Sequence, residues 1–234
     1  MLLELTFLIT ISLFVRSSVT LQISTCSRKD LPDVAYIMSL SRAIEEGKIE
    51  MNPDNIYTLS TARQKSILIE ENPILESEYH RHMRRLKENF STDNLKHSLK
   101  VVRANTSKKE VVAYLDLDRR VKSILYPPPY LSDLIVHPMW RRKGIAKALV
   151  EDAIHTSEVE WKEKHPITLW VEESNEAAIN LYRILGFHIA QKGENAPNDE
   201  TRSTADNVMR RVCGASKRLF AGDKGTLMLQ RLLS

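Results

Sequence analysis

The sequence predicts an α/β (mixed α+β) protein, a mixed β-sheet of about six to seven strands flanked by helices, on three observations. Short apolar runs bounded by turn residues recur along the chain: "LQISTC", "HSLKVVRA", "EVVAYLDLD", "LSDLIV", "ITLWV", "FHIAQ" and "TLMLQRLL". Stripes of helical period stand between several of them. Their order is strand, helices, a three-strand meander, helix, strand, helix and two strands, which calls for mixed strand directions. A chain of 234 residues accommodates one domain with embellishments. We place that domain at 21–234, after a targeting segment at 1–20.

The targeting segment rests on "LTFLITISLFV", Leu5 to Val15. About eleven apolar residues are too few to span a bilayer but match a signal-peptide core. Glu4 and the missing Lys or Arg before it argue the other way, toward an extra apolar strand or helix docked on the domain. The expected destination is the secretory route or an organelle reached through it, plastid-like included, with the cytoplasm as the alternative.

"LQISTC" alternates as a strand does, and a helix follows it through "KDLPDVAYIMSL", with Asp30 as cap, Pro32 in the first turn, and Val34, Ile37 and Met38 on one face. Residues 45–95 read as a long helical insertion with breaks. Within it Asn72-Pro73 starts a helix whose stripe is Leu75, Tyr79, Met83, Leu86 and Phe90. The opposite side, with His80, Arg81, Arg84, Arg85 and Lys87, is expected to be solvated. "HSLKVVRA" and "EVVAYLDLD" form a hairpin, and the three prolines of "RRVKSILYPPPY" make a loop. The strand Leu131 to Val136 stops at His137-Pro138. A helix runs from Gly144 to about Lys164, "ITLWV" is a buried strand, and a helix capped by Asn175 ends at Gly186. Residues 193–225 are a polar, mobile excursion before the last strand.

The formal charge of +4 is mild, which suits a basic site for a small anion better than a nucleic-acid binder. A nucleic-acid module would rest on "HRHMRRLK" and "RRK", and it lacks interleaved aromatics for base stacking. Cys26 and Cys213 form no disulfide framework and no metal-ligand spacing, so no metal is expected.

One stretch, "VHPMWRRKGIAKAL" (Val136 to Leu149), carries chemistry. A strand ends, three cations follow, and a helix begins at a glycine. Helix-start amides point outward without partners, the macrodipole adds positive potential, and glycine lets a phosphate approach the backbone. Neither the Walker loop nor the three-glycine dinucleotide fingerprint fits.

This stretch resembles the acyl-CoA signature Arg/Gln-x-x-Gly-x-Gly/Ala of the GNAT superfamily of N-acetyltransferases, with Arg141, Gly144 and Ala146 at its three defining positions. "LWVEESNEAAINLYRILGF" is similar to the strand and helix that follow in that family, at Asn175, Ala178, Leu181, Tyr182, Gly186 and Phe187. The resemblance covers roughly 21–234. It implies a GNAT-type sheet splayed between Leu131–Val136 and Ile167–Val171, with acetyl-CoA as co-substrate. Arg141, Arg142, Lys143, Gly144, Ile145, Ala146 and Lys147 would form the phosphate loop, Ile135 and Val136 the pantetheine edge, and Asn175 would hold the arm from the other side. Tyr182 would protonate the leaving thiolate. Asp133 and Glu173, with Glu172 beside it, are candidates for the base, while His137 orients the turn. No cysteine falls within these motifs, which favours direct attack in a ternary complex over a covalent acyl-enzyme.

The reading is an N-acetyltransferase acting on a primary amine, a protein or peptide amine by preference. A small-molecule amine acetyltransferase and a non-catalytic CoA-binding interaction domain are the alternatives. No nucleic acid and no stable membrane span are expected.

Overall fold

The structure, a computed structural model, describes residues 8–10, 20–49, 69–90, 96–104, 109–120, 129–192 and 226–232. The strands are β1 (Leu8–Thr10), β2 (Thr20–Thr25), β3 (His97–Ala104), β4 (Val111–Asp118), β5 (Tyr130–Val136), β6 (Ile167–Glu172), β7 (His188–Lys192) and β8 (Thr226–Arg231). The helices are α1 (Leu31–Glu45), α2 (Pro73–Asn89), α3 (Ile145–His155) and α4 (Glu176–Ile184). One mixed sheet takes the strands in the order β1-β2-β3-β4-β5-β6-β8-β7. The strand count exceeds the expected six to seven because Leu8–Thr10 pairs antiparallel with Thr20–Gln22 at the edge. Of the predicted insertion, 50–68 and 91–95 lie outside the described residues, as do 121–128 of the proline loop and the excursion 193–225.

The chain divides into two compact units. Met1–Phe90, Lys100–Tyr114 and Ile135–Ala146 form the first, and Ser91–Leu99, Leu115–Leu134 and Lys147–Ser234 the second. In the first, β2 pairs antiparallel with β3 from Leu21↔Ala104 to Thr25↔Lys100. Helix α1 packs on α2 and is buried continuously from Val34 to Ser41, so more than its predicted single face is covered. Asp30 precedes α1, yet its carboxylate caps nothing in that helix. It accepts instead from the Ser27 amide and hydroxyl, both at 2.7 Å, and pairs with Arg103 at 2.6 Å. Burial alone would raise the Asp30 pKa; the Ser27 hydrogen bonds and Arg103 outweigh it and hold the carboxyl below its ordinary value.

Helix α2 starts where Asn72-Pro73 predicts, with Asn72 Oδ1 accepting from the amides of Ile74 and Leu75 at 3.2 and 3.1 Å. Leu75 and Leu86 of its stripe are buried. The basic side departs from expectation. His80, Arg84 and Lys87 are exposed, but Arg81 is half-buried and Arg85 is buried, its Nη2 3.5 Å from Met38 Sδ on α1. Packing of α1 against α2 covers more of the helix than the apolar stripe alone would require.

In the second unit, β6 pairs antiparallel with β8 from Ile167↔Arg231 to Glu172↔Thr226, and β7 closes the edge on β8. Helix α3 ends at His155 rather than near Lys164. A wide turn over Thr156–Glu160 follows, Trp161 is buried, and Lys162 takes a left-handed φ of 49°. Helix α4 ends as a Schellman motif: Phe187 N–H reaches Tyr182 O and Gly186 N–H reaches Arg183 O, both at 3.0 Å, with Gly186 at φ 84°. Among the described residues no helix is long and apolar enough to cross a membrane.

Candidate donor-binding and catalytic site

Strand β5 is the hinge of the site. It pairs in parallel with β6 at Tyr130↔Thr168, the one ladder pair these strands make among the described residues, supported by Thr168 N–H to Pro129 O at 2.9 Å. The following residues, Ser132 to Ile135, are half-buried, whereas every residue of β4 is buried. They lie beyond that one pair with β6.

In the first unit the strand ends at Val136 and a short turn follows. His137 Nδ1 accepts from Met139 N–H at 3.3 Å, the turn-orienting role expected of it. Arg141 sends its side chain backward: Nε donates to Val136 O at 3.2 Å and Nη2 to Glu45 Oε1 at 3.0 Å. That guanidinium ties the loop to the end of α1. Arg142 and Gly144 both adopt left-handed backbone, at φ 62° and 76°, a conformation that costs an ordinary L-residue about 1–2 kcal/mol. Lys143 lies over the Trp140 ring, its Nζ 4.6 Å from the centroid.

Helix α3 begins directly after Gly144, which has no side chain to cap it. The amides of Ile145, Ala146 and Lys147 belong to the first turn, where no intrahelical acceptor exists. A Cβ built on Gly144 would meet nothing within 4 Å, so the space above the loop is open. Ile145 is 3 % exposed and anchors the helix start in the core, which restricts its contact with any ligand to the backbone. First-turn amides, the open space beside Gly144 and exposed Arg142 fit a phosphate group.

In the second unit Lys147 stands 3.8 Å from Glu151. Asn175 caps α4, its Oδ1 accepting from Ala178 N–H at 3.1 Å. Tyr182, on the inner face of α4, is 5 % exposed and its ring sits 5.4 Å from that of Phe187. Burial pushes its phenol well above the ordinary value of 10.0, which keeps it protonated at neutral pH. Asp133 is half-buried on β5; Glu172 ends β6 and Glu173 follows it, both exposed, with Ser174 Oγ 3.4 Å from Glu172.

Two partners of the loop escaped the sequence reading. Trp140 under Lys143 was legible as an aromatic three residues from a cation, but Glu45 is 96 positions from Arg141 and carried no local signal. His97 and Asp116, 2.8 Å apart in the core, were hidden inside strands that read only as a hairpin.

The sequence model described as "Acetyltransferase (GNAT) family" matches residues 64–187. Among solved structures, a spermidine N-acetyltransferase chimera of Vibrio cholerae SpeG and hSSAT superposes with a TM-score of 0.52 at 15 % identity, over 91 % of this chain and 95 % of that one. A GNAT-family acetyltransferase from Staphylococcus aureus Mu50 gives 0.52 at 15 % identity, over 92 % and 99 %. These likenesses show the fold. No curated protein sequence matches the chain. The family match, which spans more than half of the chain, establishes that the chain belongs to the acetyltransferase (GNAT) family.

Proposed function

We propose that the protein is an acetyl-CoA-dependent N-acetyltransferase, transferring acetyl to a primary amine, a protein or peptide amine by preference, by direct attack. The observation that carries the donor assignment is the helix start after Gly144, where a side chain at the glycine would meet nothing within 4 Å among the described residues. The amides from Arg142 to Lys147 would hold the pyrophosphate, and the backbone of Ile135 and Val136 would pair with the pantetheine arm. Arg141 acts from behind, holding the loop to Val136 and Glu45.

In the reaction the amine, neutral at the moment of attack, forms a C–N bond to the thioester carbonyl while the C–S bond breaks. The nitrogen loses a proton, and the thiolate takes one from Tyr182 Oη. A buried phenol suits this donor role, since it stays protonated until sulfur accepts the proton. Asp133 and Glu173 are the sequence-derived candidates for the accepting group. The acceptor preference rests on the mild positive charge, which disfavours polycations. We further propose entry into the secretory route or an organelle reached through it, supported by the apolar run Leu5–Val15.

Calorimetric titration with acetyl-CoA, wild type beside Gly144→Glu, tests the donor site. Micromolar binding in the wild type and its loss in the variant, whose carboxylate would stand against the phosphates, is expected. A folded wild type that binds no acetyl-CoA would overturn the assignment.

A further inference from the structure

The end of α1 breaks a local rule. A helix C-terminus carries the negative end of the macrodipole, so cations suit it and carboxylates are unfavourable there. Yet α1 closes on two acids in succession, Glu45 and its C-cap Glu46. Glu46 is matched close by: Arg42 Nε lies 3.0 Å from its Oε1, and Lys48 Nζ pairs with its Oε2. Glu45 is matched from far away. Its Oε1 accepts from Arg141 Nη2 at 3.0 Å, across 96 positions of sequence. The residue type at 45 thus serves the distant loop and works against its own helix.

The helix end is built to hold Glu45 still. Lys48 N–H reaches Ala43 O at 2.8 Å and Gly47 N–H reaches Ile44 O at 3.0 Å, with Gly47 at φ 66°. That Schellman motif fixes the last turn, and behind it α1 is buried from Val34 to Ser41. On the loop side Arg141 is tied at three points. Its amide donates to Pro138 O at 3.2 Å, its Nε to Val136 O at 3.2 Å, and its Nη2 to Glu45. Directly beyond stand Arg142 at φ 62°, Gly144 at φ 76° and the buried Ile145. Left-handed backbone at an ordinary residue persists only where its surroundings hold it. Here the left-handed stretch is bracketed by the ties of Arg141 on one side and by Ile145 in the core on the other. Glu45, Arg141 and Ile145 all belong to the first unit.

We propose that Glu45 is a positioning residue for the donor: through Arg141 it holds Arg142–Gly144 in the conformation that presents the loop amides to a phosphate. The inference rests on the acetyl-CoA reading above and adds to it a residue that touches no substrate. The effect is on loop conformation rather than on folding. The pair faces solvent, with 39 % of the Arg141 side chain and 60 % of the Glu45 side chain exposed, and such pairs contribute little to stability. A loop that leaves its competent state, by contrast, weakens its ligand in proportion to the population lost. If it is competent about one fifth of the time, binding falls about fivefold. Charge alone predicts the opposite sign, because removing a carboxylate from beside a phosphate site strengthens the binding of an anion. The sign of the change therefore separates positioning from simple electrostatics.

Calorimetric titration of the full chain with acetyl-CoA tests it. Glu45→Ala is expected to bind about fivefold more weakly than wild type, and Glu45→Gln, which keeps an acceptor for Nη2, about twofold more weakly. Glu46→Ala removes a carboxylate one residue away and is expected to bind no more weakly than wild type. The urea midpoint and the kcat of Glu45→Ala at saturating acetyl-CoA should stay at their wild-type values while KM for acetyl-CoA rises. In combination with Arg141→Ala, Glu45→Ala should add no further loss, because Glu45 acts through that guanidinium. Equal or tighter binding by Glu45→Ala, a loss that adds to that of Arg141→Ala, or a fall in kcat together with a lower urea midpoint would overturn the proposal and leave the donor site standing. A folded wild type that binds no acetyl-CoA would remove the donor site and this inference with it.

Discussion

Tyr182 and His82 show how burial, as the largest cause, sets the chemistry of a side chain. The Tyr182 hydroxyl sits on a ring that is 5 % exposed, and desolvation of its anion keeps the proton in place. Tyr182→Phe conserves the packing against Phe187 and removes only the oxygen. Steady-state kinetics are expected to show kcat reduced about 100-fold with acetyl-CoA affinity unchanged; an equal loss in both would mean the residue only packs. His82 on α2 is driven the other way, to a pKa of about 2, by burial first and then by Arg85, Arg81 and Arg42. Glu78 Oε2 lies 3.7 Å from its Nε2 but is already shared with Arg81 and Arg42, so it offsets little. The folded pKa is depressed below the ordinary 6.5, so this contribution is complete above pH 6.5 and is lost as pH falls toward 2. One pH unit below 6.5 the loss is about 1.4 kcal/mol. Urea melts from pH 7 to 5 should show that slope in the wild type and a flatter one in His82→Gln.

At the scale of elements, the termini of the helices were legible because their signals are local. Asn72, Asn175 and Gly186 act within a few residues of themselves, and each does what its type predicts. Asn72→Ala removes the acceptor for two amides of α2 and is expected to cost about 1 kcal/mol by urea denaturation; a change near zero would mean that α1 alone holds that end. Asp30 shows the limit of the same reasoning. Its residue type suits a cap, but Arg103 on a distant strand, with Ser27 beside it, recruits the carboxylate instead. The end of α3 was misjudged for a related reason: Lys162 to Lys164 continue a helical pattern, while the buried Trp161 and the left-handed Lys162 stop it.

At the scale of the whole molecule, the residues of Leu5–Val15 have two exclusive uses. Cleavage near residue 20 would discard Leu8–Thr10 and leave β2 as the sheet edge, whereas retention keeps an eighth strand paired to Thr20–Gln22. A reporter fused to residues 1–25 is expected to leave the cytosol, with the mature chain beginning near residue 20 by mass spectrometry; a diffuse cytosolic signal and an intact N-terminus would favour the strand. The sequence by itself determined the fold class, the order of the main elements and the glycine-led helix start. These depend on periodicity and on residue types a few positions apart, which the chain displays directly. Tertiary structure decided what those residues do once folded. It turned the Arg141 side chain to Glu45, buried Arg85 beneath α1, and set His97 against Asp116. Each of these depends on strands and helices far apart in sequence meeting in space, and on the cost of leaving a buried polar group without a partner, which no local pattern records.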